Sequence, residues 1–343
     1  MTAATAGPPG TVAAPDAPRV GIVMITRDRR ERLLGTLERI TRLPEEPPVV
    51  VVDNGSSDGT AAAVYEHFPA VRVLTPGHNL GAVGRTYGAA ALDTPLVAFS
   101  DDDSWWEPGA LARAAEVFAA HPRLGLAAAA TLVGPDAGPD PLNDVLAASP
   151  LGREPDLPGP SVLGFLGCAA VARRDAFLEV GGYHPVLHFG AEESLLALDL
   201  EAAGWGVAYC PALIARHQPD GAGGAPRPGR AAQVRRNVLL TAWLRRPLRH
   251  AVAHTVRLAL DGRTDPTARL ALTEAVQRLP AALARRRALP ALVEARVRVL
   301  EGWGEGAASG GLPPSGPPSG TPPPYGPRPA HQAKPTHRPK DPP

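Results

Sequence analysis

Three adjacent aspartates, Asp101 to Asp103, follow Ser100 at the end of a short, mostly apolar run. Neighbouring carboxylates repel one another, so this is an unfavourable way to end a strand for stability alone. A hard divalent cation removes the repulsion, because Mg2+ and Mn2+ take oxygen ligands. Alternate side chains of an extended segment point the same way, so Asp101 and Asp103 can face one ion. The pattern predicts a divalent-metal site, and a solvated acidic turn is the alternative.

Two earlier apolar runs also end in polar residues that suit a nucleotide. Thr26 and Arg27 follow the first run, and Asp53 follows the second. A carboxylate leaving a buried strand can accept hydrogen bonds from the N–H edge of a base. The small residues after Asp53 and the helix start beyond them suit a polar ligand. Taken alone, this second segment is explained equally well by a capped turn with no ligand. Its position in the fold has to distinguish that turn from a nucleotide site.

The elements that position these residues alternate between strand and helix patterns from about Arg19 onward. Predicted strands cover Val20–Thr26, Pro48–Asp53, Val71–Leu74 and Leu96–Ser100. Four consecutive valines in the second suit a strand that is buried on both faces of a parallel sheet. The helices between them are marked by an apolar face of Leu33, Leu34, Leu37 and Ile40, an Asp58 cap, the segment Gly81–Leu92 and a first-turn Pro108.

The rest of this half is less regular. A Pro/Gly/Asp-rich loop is predicted over Gly134–Pro160, followed by a strand over Ser161–Val171 and a short helix near Arg174–Val180. A helix over Ala191–Ala203 and a closing strand over Gly206–Tyr209 complete it. The alternation predicts an α/β fold with a mostly parallel sheet flanked by helices. Ligands of such sheets bind at the carboxyl ends of the strands, where the residues above stand.

Composition changes divide the chain into four parts. Residues 1–18 and 304–343 are rich in Pro, Gly and small polar residues, so both are predicted to be disordered. Residues 19–219 form the predicted α/β domain. Residues 230–303 are rich in Ala, Leu and Arg and predict helices, with breaks at Pro247, Gly262, Pro266, Pro280 and Pro290.

Bulk properties exclude several classes of protein. The net charge of +1 gives no sign of a nucleic-acid partner. Cys168 and Cys210 are far apart and outside any CxxC pair, which favours two buried, reduced thiols over a zinc site or a disulfide. No signal peptide and no long apolar stretch is found, so a cytoplasmic protein is expected.

Contact with the inner face of a membrane is kept as an alternative for the C-terminal helices. Arg235, Arg236, Arg245 and Arg246 stand close to Trp243 and Leu244. Basic helices with apolar neighbours can lie on anionic lipid. A helical cap packed on the α/β domain, with solvated arginines, is preferred because the prolines interrupt any long amphipathic stretch.

Taken in order, the polar motifs resemble those of family 2 glycosyltransferases of bacterial type, which have the GT-A fold. The motifs are Thr26-Arg27, Val51 to Asp58, Asn79-Leu80-Gly81 with Arg85, Asp101 to Asp103, Gly164 to Cys168, Gly181-Gly182-Tyr183, Glu192-Glu193, Gly204-Trp205, Pro211 and His217. Each motif is weak alone, but their order and spacing over about Arg19 to Pro219 are specific. In that fold a Rossmann-like half that binds the nucleotide joins an acceptor half in one continuous sheet.

The resemblance implies a role for each matching residue. Thr26, Arg27 and Asp53 would hold the nucleoside, and Asn79 and Arg85 would lie near the donor phosphates or ribose. The sugar-nucleotide would also contact Asp101 and Asp102. Mg2+ or Mn2+ would be bound by Asp101 and Asp103, with Asp103 the more direct ligand and His217 a further one. An exposed loop position is the alternative for His217.

The resemblance also places the catalytic base at Glu192-Glu193, and the order of the motif selects Glu193. Glu192 would then orient the acceptor. A divalent cation stabilises the nucleoside diphosphate that leaves, and a carboxylate takes the proton of the acceptor hydroxyl. Separate acids for these two tasks imply a single-displacement, inverting transfer. The family often has Glu-Asp followed by Asp-Leu, whereas Ser194-Leu195 follows here, so the choice between the two glutamates stays open.

Two other classes remain as alternatives to a glycosyltransferase that makes a cell-envelope polysaccharide or a related product. A sugar-phosphate nucleotidylyltransferase would have a Gly-rich loop with Lys after the first strand, whereas Thr26 to Arg30 contains neither residue. The other is a non-catalytic homologue that binds nucleotides. No motif identifies the sugar, the nucleoside or the acceptor, which can be a glycan, a lipid-linked molecule or a small molecule.

Overall fold

The computed structural model describes residues 19–219 and 229–307. The predicted disordered N-terminus therefore lies outside the described residues, as does most of the predicted tail. Residues 304–307 are the exception, because they continue the last helix.

The strands of the described residues form one sheet. They are β1 Val20–Thr26, β2 Val49–Asp53, β3 Arg72–Leu74, β4 Leu96–Asp101, β5 Ser104–Trp106, β6 Leu124–Val133, β7 Gly138–Pro139, β8 Ala170–Arg173 and β9 Gly206–His217. Their order is β3-β2-β1-β4-β8-β6-β9-β5, with β7 paired to β6. The first four strands are parallel, whereas β8 runs antiparallel to both of its neighbours.

Helices flank the sheet and continue beyond it. They are α1 Arg30–Ile40, α2 Thr60–His67, α3 Val83–Ala90, α4 Ala110–Ala120, α5 Leu142–Ala147, α6 Arg174–Glu179, α7 Glu192–Ala202, α8 Arg230–Arg245, α9 Leu248–Asp261, α10 Pro266–Ala284 and α11 Ala291–Ala307. The predicted α/β fold, with a central sheet between helices, is confirmed. The antiparallel pairings belong to the second half of a sheet that was predicted to be mostly parallel.

The valines of β2 show why the first half folds this way. Val49 and Val51 lie in one hydrophobic cluster, and Val50 and Val52 lie in the cluster on the opposite face. Side chains alternate between the faces of a strand, so an uninterrupted apolar run is stable only when both faces are covered. Helix α1 covers the first face with Leu33, Leu37 and Ile40, and α3 covers the second with Ala89.

Two predicted helix starts are displaced by a residue or two. Asp58 accepts a hydrogen bond from the Thr60 amide at 3.1 Å, but Gly59, with a φ of +81°, holds the cap position of α2. Pro108 lies before α4 rather than in its first turn, and Gly109 is the cap. In both places glycine adopts the left-handed conformation that other residues disfavour.

The second half of the sheet differs most from the sequence prediction. The strand predicted over Ser161–Val171 is wrong except at its end, where β8 begins. The predicted loop Gly134–Pro160 contains β7 and α5. Strand β6, with four consecutive alanines, was not predicted at all. Alanine favours helix, but pairing with β8 and β9 overrides that local preference.

Buried ion pairs join the C-terminal helices to one another and, through Arg245, to the α/β half. Arg245 pairs with Asp199 of α7, and Arg236 pairs with Glu274 at 2.6 Å. Arg246 lies 2.7 Å from Glu294 of α11. All three arginines are at most 6% exposed, so they are neither solvated nor able to meet lipid. The predicted break at Pro280 is also wrong, because α10 continues through it.

In the described parts of the chain, no helix combines the length and the apolar character needed to span a bilayer. Cys168 and Cys210 are both buried and both free, as expected.

Candidate active site

Three predicted site residues, Thr26, Asp53 and Asp101, lie side by side at the ends of β1, β2 and β4. In the sheet register Thr26 is opposite Asp53, and the neighbouring Ile25 is opposite Asp101. Parallel strands end at the same edge, so residues far apart in sequence meet there. The predicted donor residues of these three strands therefore share one edge of the sheet.

Asn54 connects two of the predicted motifs. Its side-chain nitrogen Nδ2 donates to the Gly81 carbonyl at 3.2 Å, and its side-chain oxygen Oδ1 accepts from the Leu80 backbone amide at 3.2 Å. The Asn79 side chain stabilises the turn in its own loop, because its oxygen accepts a hydrogen bond from the Gly81 amide at 2.8 Å. The loop after β2 and the Asn79 loop are thus held together, which shapes one wall of the site. Asn54 was part of a motif but was not predicted to act this way.

Arg27 and Asp53 are placed very differently at this edge. The Arg27 side chain is half exposed, with Asp28 3.5 Å away. Asp53 is 5% exposed and accepts a hydrogen bond from the Ser56 amide at 2.8 Å. Arg27 can therefore move to meet a ligand, whereas Asp53 is fixed by its own turn.

Each aspartate of the β4 cluster has its own partner. Asp101 pairs with Arg85. Asp102 accepts from the Thr26 hydroxyl at 3.0 Å and lies 3.1 Å from Arg29. Arg29 also contacts Asp103 at 3.2 Å, so one guanidinium bridges two carboxylates. Arg29 was missed as a site residue, since only its place just after β1 hinted at this role.

His217 reaches the same cluster from the far end of the chain. Strand β9 pairs with β5 so that His217 lies opposite Ser104, the residue after Asp103. The His217 Nε2 atom is 3.5 Å from an Asp103 oxygen. His217 is only partly exposed, so it belongs to the site and is not a free loop residue.

The aspartates differ in their charge state. Burial raises the pKa of Asp102 to about 7, although Arg29 opposes the shift. Burial acts in the same direction on Asp103, but the hydrogen bond with His217 and the charges of His217 and Arg29 hold its pKa below the ordinary value. For His217, burial would lower the pKa, and Asp103 raises it above the usual range. Asp103 is thus the carboxylate that the site keeps ionised.

The donor chemistry at Asp103 fits a hard divalent cation in part. A carboxylate oxygen and an imidazole nitrogen stand together, and both are ligands that Mn2+ accepts. Asp101 and Asp103, however, have different partners. Across residues 19–219 and 229–307, no group of three or more His, Cys, Asp or Glu side chains is arranged to hold a metal ion. Arg29 supplies the positive charge there, so metal binding by Asp101, Asp103 and His217 stays a prediction.

The second acidic cluster lies at the start of α7. Glu192 and Glu193 are 2% and 9% exposed, and the helix begins after Ala191, whose φ is +61°. Burial raises the pKa of Glu192, the charge of Glu193 adds to the rise, and Arg85 opposes it. Both glutamates were predicted in the first turn of this helix, and the structure has them there.

Gly167 marks the point where this cluster meets the rest of the site. A Cβ atom at Gly167 would lie 3.0 Å from a Glu193 oxygen, 3.5 Å from the Tyr183 hydroxyl and 3.6 Å from the Arg85 guanidinium carbon. A larger residue would therefore push these groups apart. Close packing thus explains why the Gly164 to Cys168 motif has a glycine at position 167.

Arg85 lies between the two acidic clusters. It is 2% exposed, pairs with Asp101 and has its guanidinium 5.5 Å from the centre of the Tyr183 ring. Burial opposes its charge, but Asp101, Tyr183 and the two glutamates raise its pKa above the ordinary value. The resemblance implied a place near the donor phosphates. The structure buries Arg85 beside Asp101 and the glutamates, and its place near the donor phosphates or ribose stays a prediction.

The fold and the site together define a class. A parallel half of the sheet ends in an acidic cluster, and Arg85 connects that cluster to a second carboxylate pair at the start of α7. This arrangement is that of a nucleotide-sugar transferase with the GT-A fold.

Residues 21–181 match the family described as Glycosyl transferase family 2, and the chain belongs to this family of glycosyltransferases. The N-acetylglucosaminyl-diphospho-decaprenol L-rhamnosyltransferase of Mycobacterium tuberculosis is 28% identical to it over 280 residues. That match covers 70% of this chain and 90% of the relative. The activity of the chain is glycosyl transfer from a nucleotide sugar.

Solved structures with a related fold include a mannosyltransferase of Pyrobaculum calidifontis in complex with GDP-Man and Mn2+. It is 20% identical, with a TM-score of 0.49, and the match covers 85% of this chain and 76% of that one. Another is S. aureus TarS 1-349 in complex with UDP, at 17% identity and a TM-score of 0.46, with 65% of each chain covered.

Proposed function

We propose that the chain is an inverting glycosyltransferase that moves a sugar from a nucleoside-diphosphate sugar to a hydroxyl of a lipid-linked acceptor. The observation that carries the proposal is the pair of acidic clusters joined by Arg85. One cluster faces the edge where the donor is expected, and the other supplies buried carboxylates a short distance away. Single displacement needs both a charged site for the leaving group and a separate base.

On the donor side, Thr26, Arg27 and Asp53 would bind the nucleoside at the ends of β1 and β2. Asp101, Asp103 and His217 would hold Mg2+ or Mn2+. The ion would neutralise the diphosphate as it leaves. Arg29 would keep the carboxylates in place and share their charge until the donor arrives.

On the acceptor side, Glu193 would take the proton of the attacking hydroxyl. A base must be ionised, and the raised pKa of Glu192 makes that residue the poorer candidate. Arg85 interacts with both glutamates, and its positive charge favours ionisation within the pair. Glu192 would then orient the acceptor by a hydrogen bond.

The relative from Mycobacterium tuberculosis suggests the substrate class. Its name describes transfer of L-rhamnose to N-acetylglucosaminyl-diphospho-decaprenol. We carry this over as a 6-deoxyhexose donor and an amino sugar on a polyprenyl diphosphate. Such a product would belong to a cell-envelope polysaccharide, and the enzyme would work in the cytoplasm at the inner face of the membrane.

A donor screen tests the proposal. The purified full chain would be mixed with Mn2+, a panel of nucleoside-diphosphate sugars and a short-chain polyprenyl diphosphate carrying N-acetylglucosamine. The expected result is release of nucleoside diphosphate together with a glycolipid that is heavier by one sugar. Inverted anomeric configuration in that product would support Glu193 as a base rather than a nucleophile.

The same screen contains the outcomes that would overturn the proposal. Release of pyrophosphate would indicate a nucleotidylyltransferase, and no turnover of any donor would indicate a nucleotide-binding homologue. Full activity in excess EDTA would remove the metal from the mechanism and leave Arg29 as the counter-charge. Transfer only to soluble sugars would remove the lipid-linked acceptor.

A further inference from the structure

Helix α9 presents an apolar face to solvent. Leu248, Val252, Val256 and Leu260 are 54%, 49%, 53% and 53% exposed. They are spaced by four residues, so they form one stripe along the helix. A surface helix of a globular domain normally turns its apolar stripe towards the core. In α9 only two apolar side chains, Ala251 and Leu258, are buried, and the four residues of the stripe are exposed.

Two arginines flank this stripe. Arg249 and Arg257 are exposed, and neither makes an ion pair with any residue of the described ranges. Asp261, at the end of the helix, is its only carboxylate. The face therefore combines exposed apolar groups with uncompensated positive charge.

We propose that the face of α9 formed by Leu248, Val252, Val256 and Leu260 binds the surface of an anionic lipid bilayer. A helix with an apolar stripe and flanking arginines lies in the interface with its apolar side among the acyl chains and its cations among the head groups. Of the four arginines considered from the sequence for this role, Arg236, Arg245 and Arg246 are buried. Arg235 is 46% exposed but pairs with Asp265, so α9 offers the better surface. The inference rests on the proposed function only in that a lipid-linked acceptor is met at a membrane.

The C-terminal segment after α11 is a poor partner for the stripe. Residues 308–343 contain Leu312 and Tyr325 as their large apolar side chains, which is too few to cover four exposed ones. The same segment has Arg328, Lys334, Arg338 and Lys340 against Asp341, so its charge has the same sign as that of the stripe.

A second copy of the chain is also disfavoured. Pairing two copies of this face would bring four arginines together, with two carboxylates at the ends. Lipid head groups of negative charge complement both arginines at once. Charge therefore selects an anionic bilayer over self-association.

Vesicle flotation tests the inference without turnover. The full chain would be floated with vesicles of phosphatidylcholine alone and of phosphatidylcholine with phosphatidylglycerol. Binding is expected only to the anionic vesicles, and V252S/V256S should weaken it roughly tenfold or more. R249Q/R257Q should remove the preference for phosphatidylglycerol. Serine and valine have similar helix propensities, so the serine variant should stay folded.

Matched variants make the test specific. V276S/L292S removes exposed apolar side chains from α10 and α11, and should leave vesicle binding unchanged. Equal losses in both serine variants would overturn the assignment to α9, as would an absence of binding to anionic vesicles. A dimer abolished by V252S/V256S in sedimentation, without vesicle binding, would identify a second copy as the partner. Nucleoside diphosphate release with a soluble acceptor should be normal in every variant, so failure of the lipid inference is separable from failure of the proposed reaction.

Discussion

The two acidic clusters of the site are both buried, but their surroundings differ. At the end of β4, Asp103 contacts Arg29 and His217, and its pKa stays below the ordinary value. At the start of α7, burial and the charge of Glu193 raise the pKa of Glu192, and the positive charge of Arg85 opposes the rise. Burial alone penalises a charge, so the neighbours of each carboxylate decide whether its pKa falls, as at Asp103, or rises, as at Asp102 and Glu192.

The difference suggests a division of labour. A carboxylate held ionised by several cations can serve as a fixed anchor for a metal ion or a nucleotide. A buried pair of carboxylates whose charges repel each other can hold or release a proton near neutral pH. The following predictions test that division, beginning with the largest expected effect.

Removing the charge of Asp103 should cause the largest loss. Asp103→Asn keeps the shape but removes the anionic ligand, and metal-dependent transfer should fall roughly 1000-fold. Donor turnover as a function of Mn2+ concentration measures it. Asp175→Asn is the matched control, because the Asp175 side chain is 90% exposed and far from the sheet edge in sequence. Normal turnover in Asp103→Asn would mean that the anchor lies elsewhere.

Within the second cluster, the two glutamates should behave differently. Glu193→Gln removes the proton acceptor, so kcat should fall roughly 100-fold while donor affinity stays nearly unchanged. Glu192→Gln mimics the protonated form that burial already favours and should cost much less. If Glu192→Gln is the inactive variant, the base is Glu192 and its assignment to Glu193 is wrong by one residue. If both are active, the base is outside α7.

Arg85 links the clusters, so its replacement should change both by a smaller amount. Arg85→Gln removes the positive charge beside Glu192 and the proposed base Glu193, so the acidic limb of the kcat profile, which follows ionisation of the base, should move to higher pH. A loss of roughly tenfold in kcat at neutral pH is expected. Arg85→Lys restores the charge and should restore the profile. An unchanged pH profile in Arg85→Gln would leave Arg85 with a packing role only.

The smallest effect concerns stability. The folded pKa of Glu192 is raised above its ordinary value of 4.5, so the folded state binds this proton more tightly than the unfolded state. The carboxyl therefore costs no stability at low pH, and the cost grows as the pH rises above 4.5 and through the folded pKa. Glu192→Gln should have an unchanged Tm at acidic pH and a Tm higher by roughly 2–4 °C at alkaline pH. A uniform shift at every pH would contradict the raised pKa.

Local patterns predicted the parallel half well and the mixed half poorly. The valines of β2 and the apolar face of α1 could be predicted locally, because the spacing of their apolar residues matches the side chains that the fold buries. The alanines of β6 form a strand only because β8 and β9 lie on either side, and no local pattern contains that information. The order of the polar motifs compensated, since it located His217 and the two glutamates despite the missed strand.

Contacts over long sequence distances explain what was missed in the site. Arg29 meets Asp103 across 74 positions, and neither residue type nor spacing indicates that one arginine will bridge two aspartates. Arg245 and Arg246 appear as a basic run beside Trp243, yet each is buried against an acid elsewhere in the chain. Whether an arginine is solvated or paired depends on the fold, so sequence alone favoured the wrong surface for these residues.

Asn237 of α8 lies within hydrogen-bond distance of the carbonyls of Leu187, Phe189 and Gly190, in the segment that leads directly into α7. The family match ends at residue 181, before that segment and before both glutamates. The matched range is therefore shorter than the α/β half, and the segment that leads into the proposed base is held by a helix outside that range. Exchange of the C-terminal helices between relatives would alter catalysis even where every motif residue is kept.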